Sequence, residues 1–169
     1  MRGFNAFSYA DIADELGIRK ASIHHHFPSK LDLEAELLTR YRSDFVKELG
    51  SIKSSVSDST GQLQRYIQLY FGTLKSNRIC LGGMMASDAG ALPKELAPAL
   101  KSFFAEQLEW LADVLRVGKK KGELNFTGSA ESQANVLLAA LQGGLLLANA
   151  MGDEAVFVKM KNSLLAQLK

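Results

Sequence analysis

Three prolines and a single cysteine in 169 residues leave this chain with few ways to be stapled or stiffened. The lone Cys80 cannot close an internal disulfide, so a reducing cytoplasm is the simplest home for the chain. The N-terminus lacks the apolar core segment of a signal peptide, and export by that route is not expected. No stretch alternates apolar and polar residues with the period of a strand, so the expected fold class is all-α. An excess of charge of one sign is also missing. The net charge is +2, and residues 1–49 hold seven Lys or Arg against eight Asp or Glu, so any affinity for a polyanion must come from local arrangement. No nucleophile, base and orienting group can be assembled, and no paired carboxylates, so no enzyme activity is expected. What the chain does have is 47% hydrophobic residues, enough for a real core.

The local arrangement is found in residues 17–30, where Arg19, Lys20 and Lys30 occur with three histidines and no acid. Ahead of it, Ser8 caps a helix with Ile12 and Leu16 four apart, and Asp11 is positioned as its capping-box partner. Gly17 ends that helix by taking the left-handed conformation, and Ile18 plugs the angle to the next. A second helix, from Arg19 or Lys20 to Phe27, buries Ile23 and Phe27 and leaves Lys20, Ser22, His24, His25 and His26 over the rest of its surface. Pro28 stops it and Ser29 caps a third helix. Lys30 stands at that helix's N-terminus, where a cation opposes the dipole unless an anion such as phosphate is close.

Gly3-Phe4, Ser8 to Ala13, Leu16-Gly17-Ile18, Ser22-Ile23 and above all His25-His26-Phe27-Pro28-Ser29-Lys30-Leu31-Asp32-Leu33 resemble the DNA-binding domain of the TetR family of bacterial transcription regulators. Arg19, Ala21 and His24 depart mildly from the family's usual Ser or Thr, Gly and Tyr. The resemblance implies a homodimer that places two recognition helices in successive major grooves of a palindromic operator, about 34 Å apart. Lys20 and Ser22 are then the candidates for base edges, and His24, His25, Lys30 and Ser8 for phosphates, while His26 faces either the core or the DNA backbone. In that family another helix precedes the motif. Met1 falls almost where it should end, with Arg2 and Gly3-Phe4 as its exit, so the resemblance implies a shortened start or a loosened head in which Ile12, Ile23, Phe27 and Leu37 lose cover.

The three histidines do not suggest a metal. Neighbours on a helix point about 100° apart and no acid or thiol sits one turn away on a suitable face, so neither a metal nor a cofactor is expected.

Beyond the head, Leu33, Leu37, Tyr41, Phe45 and Leu49 recur every four residues in a connector helix ending near Gly50, followed by a Ser-rich linker over residues 51–60. This divides the chain into a DNA-binding head with connector, residues 1–49, and a body, residues 50–169. A helix carrying Leu63, Tyr66, Ile67, Tyr70, Phe71 and Leu74 ends near Asn77. A short one runs through Met84 and Met85 to Ala89, closed by Gly90. A long one begins near Pro98 and reaches about Lys120. Tyr70, Phe71, Met84, Phe103, Phe104, Gln107 and Trp110 are large, partly adaptable groups that a plain core explains nearly as well as a ligand site. The resemblance implies that this region encloses an effector pocket. Cys80-Leu81-Gly82-Gly83 is similar to an element of a branch of these regulators, some of which sense electrophiles. Cys80 therefore reads either as a reactive thiol in that pocket or as a small buried residue at a tight turn.

Residues 136–150 are apolar except for Gln142 and Asn149, and the stretch is read as too short and interrupted to span a membrane. Ala140, Gly144 and Ala148 form a small-residue ridge. The next helix, residues 154–168, offers Phe157, Met160, Leu164 and Leu168. Two such helices from each of two subunits would form a four-helix dimer interface; the alternative is packing within one subunit. The expected function is that of an effector-released repressor on a palindrome; the alternative is a dimeric ligand-binding or interaction protein that no longer binds DNA.

Overall fold

The computed structural model describes residues 7–76, 78–87 and 92–169, which fold into eight helices with no strand among the described residues. Two short helices, α1 (Tyr9–Leu16) and α2 (Lys20–His26), lead into α3 (Lys30–Ser55), α4 (Ser59–Lys75), α5 (Leu81–Ser87), α6 (Ala97–Lys121), α7 (Ala130–Met151) and α8 (Glu154–Ala166).

Local signals set most of these boundaries. Ser8 and Ser29 each begin a helix with a complete capping box, to Asp11 and Asp32. Gly17 sits at φ 65°, a conformation few side chains accept, and from there the Ile18 N–H bonds back to Ala13 O at 3.0 Å. Pro98 lies in the first turn of α6, where its missing N–H costs nothing, and Asp153 caps α8 after the Gly152 break. The expected ends at Asn77, Ala89 and Gly90 lie outside the described residues.

The connector runs further than its composition suggests. Rather than yielding to a linker after Leu49, α3 continues unbroken through Gly50 to Ser55. Ser54 and Ser55 turn their hydroxyls onto Ser51 O at 3.0 and 2.7 Å, and Ile52 is buried in line with Leu49. Serines that feed the helix's own carbonyls lengthen it here instead of ending it. The strict four-residue spacing also drifts off the buried face, because a turn takes 3.6 residues. Leu38 is fully buried and Leu37 is 44% exposed, so the inner stripe is Leu38, Tyr41, Phe45, Leu49 and Ile52.

The body core lies between α3, α4, α6, α7 and α8, with Tyr66, Phe103, Leu111, Leu141 and Phe157 essentially sealed. A smaller cluster, Leu38, Met85, Leu96 and Leu100, fastens α5 and the start of α6 onto α3. The head has its own core of Tyr9, Ala13, Ile23 and Leu33. Contrary to the expectation from its composition, α7, at 22 residues, is long and apolar enough to cross a membrane; here its inner side packs on α4, α6 and α8.

Candidate nucleic-acid interface and the body beneath it

The head is held by polar clips as much as by burial. The Tyr9 hydroxyl reaches across from α1 to the carbonyls of Phe27 and Ser29, at 2.9 and 2.5 Å, which pins the turn between α2 and α3. Burial first, and then the Asp32 and Glu34 carboxylates, push the Tyr9 phenol above its ordinary value, so it keeps its donor proton. His24 packs edge-on to the Tyr9 ring with centroids 4.6 Å apart. Asp32 accepts from the Ser29 hydroxyl and backbone, which holds its carboxyl below the usual range.

With α2 fixed this way, Lys20, Ser22, His24 and His25 are all exposed on the helix, and Lys20 makes no ion pair among the described residues. No side chain caps the helix at Arg19, so its start depends on the turn that precedes it. Ser8 is exposed too, with its hydroxyl donating to Asp11 Oδ2 at 2.7 Å. Lys30, expected at a phosphate, has contacts of its own within the head. Its ammonium donates to Phe7 O at 3.1 Å, sits 4.1 Å from the centre of the Phe7 ring and lies 4.0 Å from Glu34. That ammonium is turned back onto the head, where it answers a carboxylate that is 4% exposed, and a phosphate would have to draw it away.

Ile18 also departs from expectation. It is 45% exposed and plugs no angle; the junction is filled by Ala13, Ile23 and Tyr9. Ile18 instead borders an apolar groove of about 580 Å³ that Ile12, Leu16, Phe27 and Leu37 also line, and His26 turns toward that groove. The expected exit of a preceding helix, Arg2 and Gly3-Phe4, lies outside the described residues. No group of three or more potential metal ligands occurs among the described residues.

The residues assigned to an effector pocket do not share one space. Tyr70, Cys80 and Phe103 are in the interior with Tyr41, Phe45, Tyr66, Gln107 and Gln142. Phe71 faces the other way, stacked on Phe157 at 5.9 Å and flanked by the ammonium groups of Lys75 and Lys161. Trp110 stacks on Tyr66 at 5.4 Å and lines an open cleft of about 340 Å³ between α3 and α6, and its buried Nε1 has no hydrogen-bond partner among the described residues. Phe104 is half-buried edge-on to Phe103, and Met84 is half-buried on α5.

Polar groups string through that interior. The Tyr66 and Tyr70 hydroxyls both donate to Gln107 Oε1, at 2.8 and 2.9 Å, and Gln142 Nε2 donates to the Tyr70 hydroxyl at 3.1 Å and to Cys80 Sγ at 3.4 Å. Tyr41 completes the string, 3.5 Å from the same sulfur. The glycine pair after Cys80 has a steric reason. A Cβ on Gly82 would run into the Phe103 ring, and one on Gly83 into Gln142 Oε1. Tyr41, Tyr66 and Gln142 could not be linked from sequence, because the string crosses four helices, α3, α4, α6 and α7. At the edge of the body, Arg42 on α3 forks onto Glu106 on α6, and the pairing holds the Glu106 carboxyl low.

The small-residue ridge expected at a dimer interface points inward. Gly144 is covered by Met160 and Phe157 of α8, Ala148, Phe157 and Leu164 are buried within the single chain, and Ala140 and Met160 are half-buried. The uncovered side of α7 instead carries Val136, Leu146, Leu147 and Met151, each more than half exposed.

A profile described as "Bacterial regulatory proteins, tetR family" matches residues 1–37. A crystal structure of a TetR-family transcriptional regulator from Agrobacterium tumefaciens is 35% identical and covers 99% of this chain and 90% of its own, with a TM-score of 0.95. A TetR transcriptional regulator from Legionella pneumophila is 32% identical over 98% of this chain and 88% of its own, with a TM-score of 0.88. The HTH-type transcriptional repressor BepR of Brucella suis is 27% identical over 151 residues, 85% of this chain and 71% of that protein.

Proposed function

Because the chain belongs to the TetR family of transcription regulators, we propose that Lys20 and Ser22 of α2 read base edges of a palindromic operator while Ser8, His24 and His25 hold its phosphates. The observation that carries this reading is the geometry of α2. It is clipped to α1 and α3 by Gly17 and the Tyr9 hydroxyl, and its exposed surface presents one ammonium, one hydroxyl and three imidazoles with no acid.

The operator requires two heads, and the outer side of α7 supplies the surface that pairs them. Val136, Leu146, Leu147 and Met151 would bury against the same helix of a second copy about a two-fold axis. Gly144 and Phe157 support that surface from inside by joining α7 to α8. The chain divides functionally into a head with its connector and a body, with the division at residue 49 lying inside the continuous α3. A small molecule received by the body relieves repression, and the regulator works in the cytoplasm beside the chromosome.

The test is fluorescence anisotropy on promoter fragments over a range of salt concentrations. Sequence-specific, salt-steep binding is expected, and Lys20→Ala should cost about 1–3 kcal/mol and relax specificity while the dimer persists. Absence of specific binding at low salt by an intact dimer would favour a ligand-binding or interaction protein that no longer uses DNA.

A further inference from the structure

The sulfur of Cys80 lies between α3 and α7, which share α4 and α6 as neighbours while α3 alone packs on α5 and α7 alone on α8. Tyr41 from α3 and Gln142 from α7 reach it from 3.5 and 3.4 Å. Cys80 is 2% exposed, and burial together with the nearby Cys80 raises the Tyr41 phenol above its ordinary value, so the hydroxyl keeps its proton and is the donor. The sulfur is thus an acceptor shared by the helix that carries the DNA head and the helix whose outer side is assigned to subunit pairing. Gly82 and Gly83 let α5 press onto Phe103 and Gln142, which seats the sulfur there.

We propose that Cys80 is a positioning residue for DNA recognition: by accepting hydrogen bonds from Tyr41 and Gln142 it ties α3 to α7, and so sets the placement of the head relative to the pairing surface. This rests on the function proposed above. A thiol suits the task because sulfur is a weak, polarizable acceptor that tolerates long contacts. Removing the acceptor leaves two donors to find other partners, and α3 shifts against α7 as they do.

The experiment compares Cys80→Ala, Tyr41→Phe, Gln142→Met and the double variant Cys80→Ala/Tyr41→Phe, each as the full chain. Operator affinity is read by anisotropy, dimer content by sedimentation and stability by urea unfolding. Cys80→Ala is expected to change operator affinity by about twofold to thirtyfold with the dimer intact. Tyr41→Phe should have a similar effect alone and none beyond it in the Cys80→Ala background, whereas Cys80→Ser, which keeps an acceptor, should restore most of the affinity. Unchanged affinity in Cys80→Ala, or effects of Cys80→Ala and Tyr41→Phe that simply add, would overturn the proposal. If the unaltered protein binds no operator, the functional reading falls, and the tie is judged by stability alone. Coupling between Tyr41→Phe and Gln142→Met in urea then supports it and additivity overturns it, and the same cycle decides if Cys80→Ala does not fold.

Discussion

Head and body are stabilised by different means. In the head, Tyr9, Ala13, Ile23 and Leu33 form a small core beside an apolar groove, and order comes largely from directed polar contacts: two capping boxes, the Gly17 turn and the Tyr9 hydroxyl on two carbonyls. In the body, long helices bury a continuous core, and apart from the indole nitrogen of Trp110 its described polar groups run as a string of paired donors and acceptors. The difference teaches where each part will yield. A head built on clips should open locally while the body stays folded, and a body built on burial should lose its stability as a unit.

Truncating the body core tests this most severely. Phe103→Ala removes a ring that is 1% exposed and touches Tyr41, Phe45 and Phe104, and should cost about 3–5 kcal/mol of global stability in urea unfolding. A loss confined to α5 would mean that the body is less of a unit than its packing implies.

The two sides of α7 sharpen the comparison within the body. Gly144→Leu drives a side chain into Met160 and Phe157, so it should lower stability by about 1–3 kcal/mol through separation of α7 from α8. Leu147→Glu, on the uncovered side, should leave the subunit's fold intact and shift sedimentation toward monomer. The reverse pattern would return the small-residue ridge to the dimer interface.

Clips should yield smaller and more local losses. Ser29→Ala removes the cap of α3 and should cost about 0.5–2 kcal/mol, read as faster amide exchange in the head with the body unchanged. The pH dependence has a definite sign. Asp32 has a folded pKa held below its unfolded value, so the stability it lends is present above the unfolded value near 4 and is lost as pH falls through the folded one. Buried Glu34 is shifted the other way and gains from acid, so the informative quantity is the gap between the parent and Ser29→Ala, which should close on acidification. A gap that stayed constant down to pH 3 would remove Asp32 from the clip.

The last test concerns the reactivity of the Cys80 thiol rather than its hydrogen bonds. At 2% exposure its thiol should react with iodoacetamide more slowly than a free thiol at neutral pH, as a buried residue does, and Cys80→Ser should leave effector response in place. Fast alkylation of the folded protein would restore the reactive reading.

The same division governs what could be read from the sequence. Ser8 with Asp11, Gly17, Pro28 with Ser29, and Pro98 are short-range signals whose physics is complete within a few residues, and each sits where that physics puts it. The continuation of α3 through Ser51 to Ser55 was hidden because serine serves equally as linker and as a helical residue bonding backward, and only the burial of Ile52 decides between them. Which side of α7 faces out was hidden for another reason. A helix apolar nearly all round has no preferred direction of its own, and the choice is made by Met160 and Phe157 arriving from α8. Lys30 read as a phosphate contact because nothing in the sequence marks Glu34, one turn on, as buried; in the fold that carboxylate is 4% exposed and 4.0 Å from the ammonium.

The uninterrupted α3 also has a mechanical consequence. Its 26 residues make a rod about 39 Å long at 1.5 Å per residue, so a tilt of only about 5° at the body end swings the head end through about 3.4 Å. That is roughly the rise of one base pair, so an angular change too small to disturb the body's packing would put a recognition helix one step out of register with its half-site.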